Sequence, residues 1–133
     1  MTSSPSAWLA ILLGAIACSG DGGALSAAAA EREIDALHGL YDAQQFGTIY
    51  RDGTAGMRLL STLDQAVAFY QKSFERLGRV QGSKTASWSR GATNGMDSIT
   101  VVRKTRFERG SATESFTFVE KAGKIVLAGY DLE

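Results

Sequence analysis

Cysteine occurs once in these 133 residues, and so do proline and histidine. With Cys18 alone, no disulfide can form within the chain. One histidine and one cysteine supply no cluster of the kind that holds a structural or catalytic zinc ion. A single proline, and no low-complexity tract beyond a short glycine-rich stretch, argue against a long disordered region. Charge of one sign is also missing, because 14 basic residues face 14 acidic ones. A balanced chain has no long-range field to gather nucleic acid, so no nucleic-acid partner is expected. No glycine-rich phosphate fingerprint occurs, and no cofactor is expected. No apolar run approaches the ~20 residues that a bilayer-spanning helix needs.

The longest apolar run is short and lies at one end. Residues 7–17, Ala-Trp-Leu-Ala-Ile-Leu-Leu-Gly-Ala-Ile-Ala, have the length of a signal-peptide h-region. Ala15 and Ala17 place small residues at the −3 and −1 positions of a cleavage site before Cys18. The tetrad Ala15-Ile16-Ala17-Cys18 resembles a lipoprotein lipobox, with Ala where Leu is usual. No Lys or Arg precedes the run, which departs from the usual n-region. An exposed free thiol in an oxidising compartment is a liability that acylation removes. The expectation is a signal peptide at 1–17, then an acylated Cys18 with a flexible tether at 18–25, and a single domain at 26–133. That places the protein in the cell envelope, extracytoplasmic and membrane-anchored through lipid on Cys18.

Every charged residue follows Cys18. About 115 residues suffice for one domain that buries roughly two thirds of its unfolded surface. A helix is predicted over 24–45, capped by Ser26, with Ile34, Leu37, Leu40 and Tyr41 at helical spacing. Phe46-Gly47 is read as its break. Residues 48–50 are read as a turn of helix or an extended link, and Asp52-Gly53 as a turn. A second helix is predicted over 61–77: Thr62 and Gln65 have the form of a capping box, and Gly78 supplies the stop. Beyond it the period becomes two. Strands are predicted at 84–90, 99–107, 114–119 and 125–132, separated by turns at Asn94-Gly95, Arg109-Gly110-Ser111 and Ala122-Gly123. Gly129 inside the last strand suggests a bulge. Helices first and short hairpin links afterwards specify α+β, with N-terminal helices packed on a curved antiparallel sheet of about four strands.

Several segments together resemble small uncharacterised bacterial envelope lipoproteins with a cystatin-like or nuclear transport factor 2-like cone. They are Phe46-Gly47-Thr48-Ile49-Tyr50, Arg76-Leu77-Gly78, residues 101–107, Glu114-Ser115-Phe116-Thr117-Phe118 and residues 125–132. Ile125 stands where those families commonly carry an aromatic. The resemblance implies a helical pair before three or four curved strands, an envelope setting and sheet-to-sheet dimers. It carries no activity over.

The chemical candidates are few. His38 and Asp42 are four apart on one helical face and could tune a general base; a boundary pair is the plainer reading. Tyr41, Tyr50, Tyr70 and Tyr130, with Asp42 and Asp52, provide the residue types of a carboxylate base and a phenol that polarises a carbonyl. Packing with a wetted hydroxyl is the plainer role for the tyrosines. Arg103 interrupts an apolar row, so it either greets an anion on the concave face or pairs with Glu114 or Glu120 on the next strand. The sequence therefore favours a non-catalytic binding or accessory protein, with Tyr41, Tyr50, Tyr70, Arg103 and Tyr130 as ligand-binding candidates. Its partner would be a protein or a small apolar ligand. The alternative is a cone-fold enzyme using Asp/Tyr acid-base chemistry on a small ketone.

Overall fold

The computed structural model describes residues 25–133. The predicted signal run 7–17, Cys18 and most of the predicted tether lie outside the described residues. Among those described, no helix is long and apolar enough to cross a membrane.

Four helices precede four strands. They are α1 (Ala27–Asp42), α2 (Phe46–Asp52), α3 (Ala55–Leu60) and α4 (Leu63–Leu77), followed by β1 (Val80–Thr93), β2 (Met96–Phe107), β3 (Gly110–Lys121) and β4 (Lys124–Leu132). The strands form one antiparallel sheet in the order β1-β2-β3-β4. The architecture is α+β, helices first and then an open, curved sheet of four strands.

Each boundary has a local cause. The Ser26 hydroxyl accepts from the Ala29 amide and starts α1. Gln44 adopts φ 59° and ends it, so Phe46 opens the next helix instead of breaking the first. Thr54 caps α3 by accepting from the Met57 amide. Thr62 and Gln65 make both bonds of the capping box at the start of α4. The β1–β2 and β3–β4 links, Asn94-Gly95 and Ala122-Gly123, have positive φ at both positions, as tight two-residue hairpins require. The β2–β3 link is Glu108-Arg109, because Phe107 pairs with Gly110; the turn lies one residue before the expected position. The first strand is longer than predicted, and its register shifts twice, at Val80/Gly82 and Thr85/Ser87.

One core lies between α1 and the concave sheet face. Ala30, Ile34 and Tyr41 of α1 join Ile99, Val101, Phe107, Phe116, Phe118 and Leu127. Phe116 and Phe118 stack with ring planes 9° apart. A second layer forms where Phe46 of α2 stacks on Tyr70 of α4, centroids 5.9 Å apart, while Tyr41 meets Phe74 at 5.4 Å. Each fully buried large side chain contributes about 1.5–3 kcal/mol.

The α4–β1 corner is the tightest point. Gly78 has φ 82°, its amide donates to the Phe74 carbonyl at 2.7 Å, and its own carbonyl accepts from Tyr41 Oη at 3.2 Å. A Cβ there would lie 2.6 Å from Glu108 Oε1 and 2.9 Å from Glu108 Cβ, whereas nothing lies within 4 Å of the equivalent point on Gly123. Both positions need a left-handed backbone, but only Gly78 adds a steric clash. Gly78→Ala is therefore expected to cost about 1–3 kcal/mol, and more than Gly123→Ala, in urea denaturation. Equal costs for the two variants would remove the steric argument.

Candidate functional site around Glu114

Alternation along β3 turns Glu114, Phe116 and Phe118 toward the helices, and all three are buried. A carboxylate in that row is costly unless it is hydrogen-bonded. Three side chains satisfy it. His38 Nε2 donates to Glu114 Oε1 at 2.7 Å, Thr105 Oγ1 donates to the same oxygen at 2.5 Å, and Tyr130 Oη donates to Oε2 at 2.6 Å. The donors come from α1, β2 and β4.

The chain of hydrogen bonds continues across the sheet. Because Thr105 gives its proton to Glu114, the Ser83 hydroxyl donates to Thr105, 2.9 Å away. Ser83 in turn accepts from Arg103 Nη1 at 3.2 Å. Arg103 is only 5% exposed, and its guanidinium lies 3.7 Å from both Glu31 and Asp35 of α1. Arg103 faces Glu114 across the β2–β3 ladder, but the ion partners its guanidinium meets are Glu31 and Asp35 on the helix, where the sequence pointed to an acid on the next strand. Arg103 Nε is buried without a hydrogen-bond partner among the described residues.

These contacts set the protonation states. Burial pushes the Glu114 carboxyl up, but the His38 hydrogen bond and charge, with the bonds from Thr105 and Tyr130, outweigh it and hold it below the ordinary range. For Tyr130, burial first, then the Glu114 charge and hydrogen bond, push the hydroxyl well up, so it stays a donor. Burial raises Tyr70 to about 12. Burial, then the charges of Asp42 and Glu114, also raise Tyr41 to about 12.

The expected His38–Asp42 pair does not form. Asp42 Oδ1 accepts from the Val80 amide at 3.0 Å, tying the end of α1 to the start of β1. Neither Asp42 nor Asp52 supplies the carboxylate under the sheet; Glu114 does, and its alternating position alone did not mark it. The signal available was an acid on the apolar face of a strand.

The tyrosines divide between two spaces. Tyr41, Tyr70 and Tyr130 line the cavity beside Glu114 together with Leu37, His38 and Phe116. Its volume is about 20 Å³, room for one water molecule at most. Tyr70 and Tyr130 also form the back of an open groove of about 300 Å³ with Tyr50, Met57, Leu60 and Phe69. Tyr50 Oη donates to the Ser61 carbonyl at 2.8 Å, so its hydroxyl shapes the α3–α4 corner. Arg103 lines neither space. A larger groove of about 690 Å³ runs between α1 and β4. No group of three or more His, Cys, Asp or Glu among the described residues could hold a metal ion. No protein-family model matches the chain, and no curated protein matches it.

The folded carboxyl of Glu114 is lowered from its ordinary 4.5. Its stabilising effect is thus complete above about 4.5 and is lost as pH falls through the lower folded value. Glu114→Gln is expected to cost about 1–3 kcal/mol at pH 7, from buried donors left unmatched. It should also flatten the acid limb of stability against pH. A variant with an unchanged acid limb in urea titrations from pH 7 to 3 would refute this role for Glu114.

Proposed function

We propose that the protein is an exported, lipid-anchored envelope protein with a non-catalytic binding role, and that its ligand is a small apolar molecule held in the groove bounded by α3, α4 and β4. The observation that carries the reading is the exposure of large apolar side chains on that groove. Leu60 is 83% exposed and Phe69 45% exposed, on a depression backed by Tyr50, Tyr70 and Tyr130. Large apolar groups left in solvent beside an aromatic-backed groove mark a binding surface. Three of the five ligand candidates read from sequence meet there. The export and anchor parts of the reading rest on the apolar run 7–17 and Cys18.

The ligand claim is tested with N-phenyl-1-naphthylamine, an uncharged apolar fluorophore. Leu60→Asp is expected to weaken its binding at least tenfold, and Phe69→Ala to weaken it several-fold. Unchanged titration curves in both variants would exclude the groove. The anchor claim is tested by intact mass and by fractionation of cells. Wild-type protein is expected in the membrane fraction with acyl chains on Cys18, and Cys18→Ser is expected in the soluble fraction. A lipid-free wild-type protein in the soluble fraction would exclude the anchor.

A second reading has one observation in its favour. A carboxylate, an imidazole and a phenol meet at Glu114, the set that acid-base catalysis on a small ketone uses. Against it, the adjoining space has room for one water at most, and both carboxylate oxygens are already bonded to His38, Thr105 and Tyr130. Ketone turnover that disappears in Glu114→Gln would favour the enzyme.

A further inference from the structure

The outer edge of β4 has a hydrogen-bonding pattern that can be read from the ladder. Leu127 pairs with Phe118, yet its carbonyl accepts from the Thr54 amide at 3.0 Å, so its polar backbone groups point away from β3. In an antiparallel ladder the direction alternates. No register shift separates Leu127 from Ile125, so Ile125 also points its N–H and C=O outward. The hairpin agrees: Lys121 and Lys124 flank a two-residue turn and form the closing bonded pair, which leaves Ile125 unbonded to β3. Thr54, whose own backbone is extended, occupies one rung of this edge. The Leu127 N–H and both Ile125 groups have no partner among the described residues.

This edge forms one side of the 690 Å³ groove. Lys124, Ile125, Val126 and Leu127 line it opposite Ala29, Ala36, Leu37 and Leu40 of α1, with Ile49 between them. Ile125 lies on the same sheet face as buried Leu127, so a residue paired with Ile125 places its side chain between the helix and the sheet. The charged walls are Arg32 and Lys124 against Glu33 and Asp52. This balanced set matches an uncharged occupant and gives neither an acidic nor a basic segment an advantage.

We propose that the groove between α1 and β4 binds an extended, uncharged peptide segment of a partner protein, which adds as a fifth strand at Ile125 and buries one apolar side chain against Leu37, Leu40 and Ile49. Backbone bonds to the N–H and C=O of Ile125 and to the N–H of Leu127 supply the pairing, and the single inward side chain supplies the selectivity. The segment is short, because Thr54 already holds the Leu127 carbonyl. This surface is separate from the aromatic groove, and either can be lost without the other.

The test uses the full-length chain and a capped pentapeptide, threonine-valine-leucine-valine-threonine. The Ile125 amide is expected to exchange rapidly in the free protein. On adding the peptide, the Ile125 and Leu127 amide signals should shift, and exchange at Ile125 should slow at least tenfold. N-methylation of the peptide's central leucine removes one donor and should weaken binding at least tenfold, as should aspartate or lysine in its place. Ile125→Pro deletes an outward N–H without breaking a ladder bond and should abolish binding. Because the Ile125 side chain also packs on the core, Ile125→Ala is the control, with a similarly lowered Tm but peptide binding retained. Three results would each overturn the proposal. They are a slow Ile125 amide in the free chain, equal binding of the N-methylated peptide, and a dimer in sedimentation that Ile125→Pro dissociates. The last would show that a second copy of the chain fills the edge.

Discussion

The carboxylate of Glu114 is where the layers of this domain are joined. It belongs to β3, and its three donors come from α1, β2 and β4. Through Thr105 and Ser83 the chain of bonds reaches β1 and Arg103, which in turn faces two acids of α1. All four strands and the first helix thus meet in one hydrogen-bonded path. Apolar contacts alone would hold α1 on the sheet but would fix its position weakly, because hydrophobic burial has no direction. The polar path fixes rotation and offset, since each donor reaches its acceptor in one placement only. The stake is high, because a buried path of this kind is costly when any member is missing.

The same closure shapes what the protein can do. Filling the centre with Phe116, Tyr41, Tyr70 and Tyr130 leaves space for one water beside the carboxylate. The open space lies further out, in two grooves that share walls with this centre. Tyr70 and Tyr130 back one, and Leu37, Ile49 and Leu127 line the other. A ligand in either groove would rest on side chains whose positions the Glu114 path determines.

Local signals were legible in the sequence and distant ones were not. The capping box at Thr62, the stop at Gly78 and the Asn94-Gly95 and Ala122-Gly123 turns depend on residues within a few positions of one another, and the structure has all of them. Helix α3 escaped because six residues are too few to display a helical period. Phe46-Gly47 misled because the break falls at Gln44, a non-glycine residue in the left-handed region. Among side chains, Asp42 looked like the partner of His38 because it is one turn away. The actual partner, Glu114, is 76 residues distant, and only the strand register brings it near. From sequence, Arg103 either lines the concave face or pairs with Glu114 or Glu120; its partners Glu31 and Asp35 approach from a helix whose position no spacing rule gives.

The irregularity in β4 divides the outer edge of the sheet. The ladder shifts between Thr117 and Phe118, where Ala128 is an extra residue, and this lets Leu127 and Tyr130 face the same side at an odd spacing. The shift also changes the phase of the outer edge. Outward groups fall at Ile125 and Leu127 before it and at Tyr130 and Leu132 after it, so no straight strand can match both halves. An edge of nine residues thereby behaves as two short ones. Open sheets with long regular edges invite end-to-end stacking into fibrils. Here a single surplus alanine limits extension at the β4 edge to a few rungs.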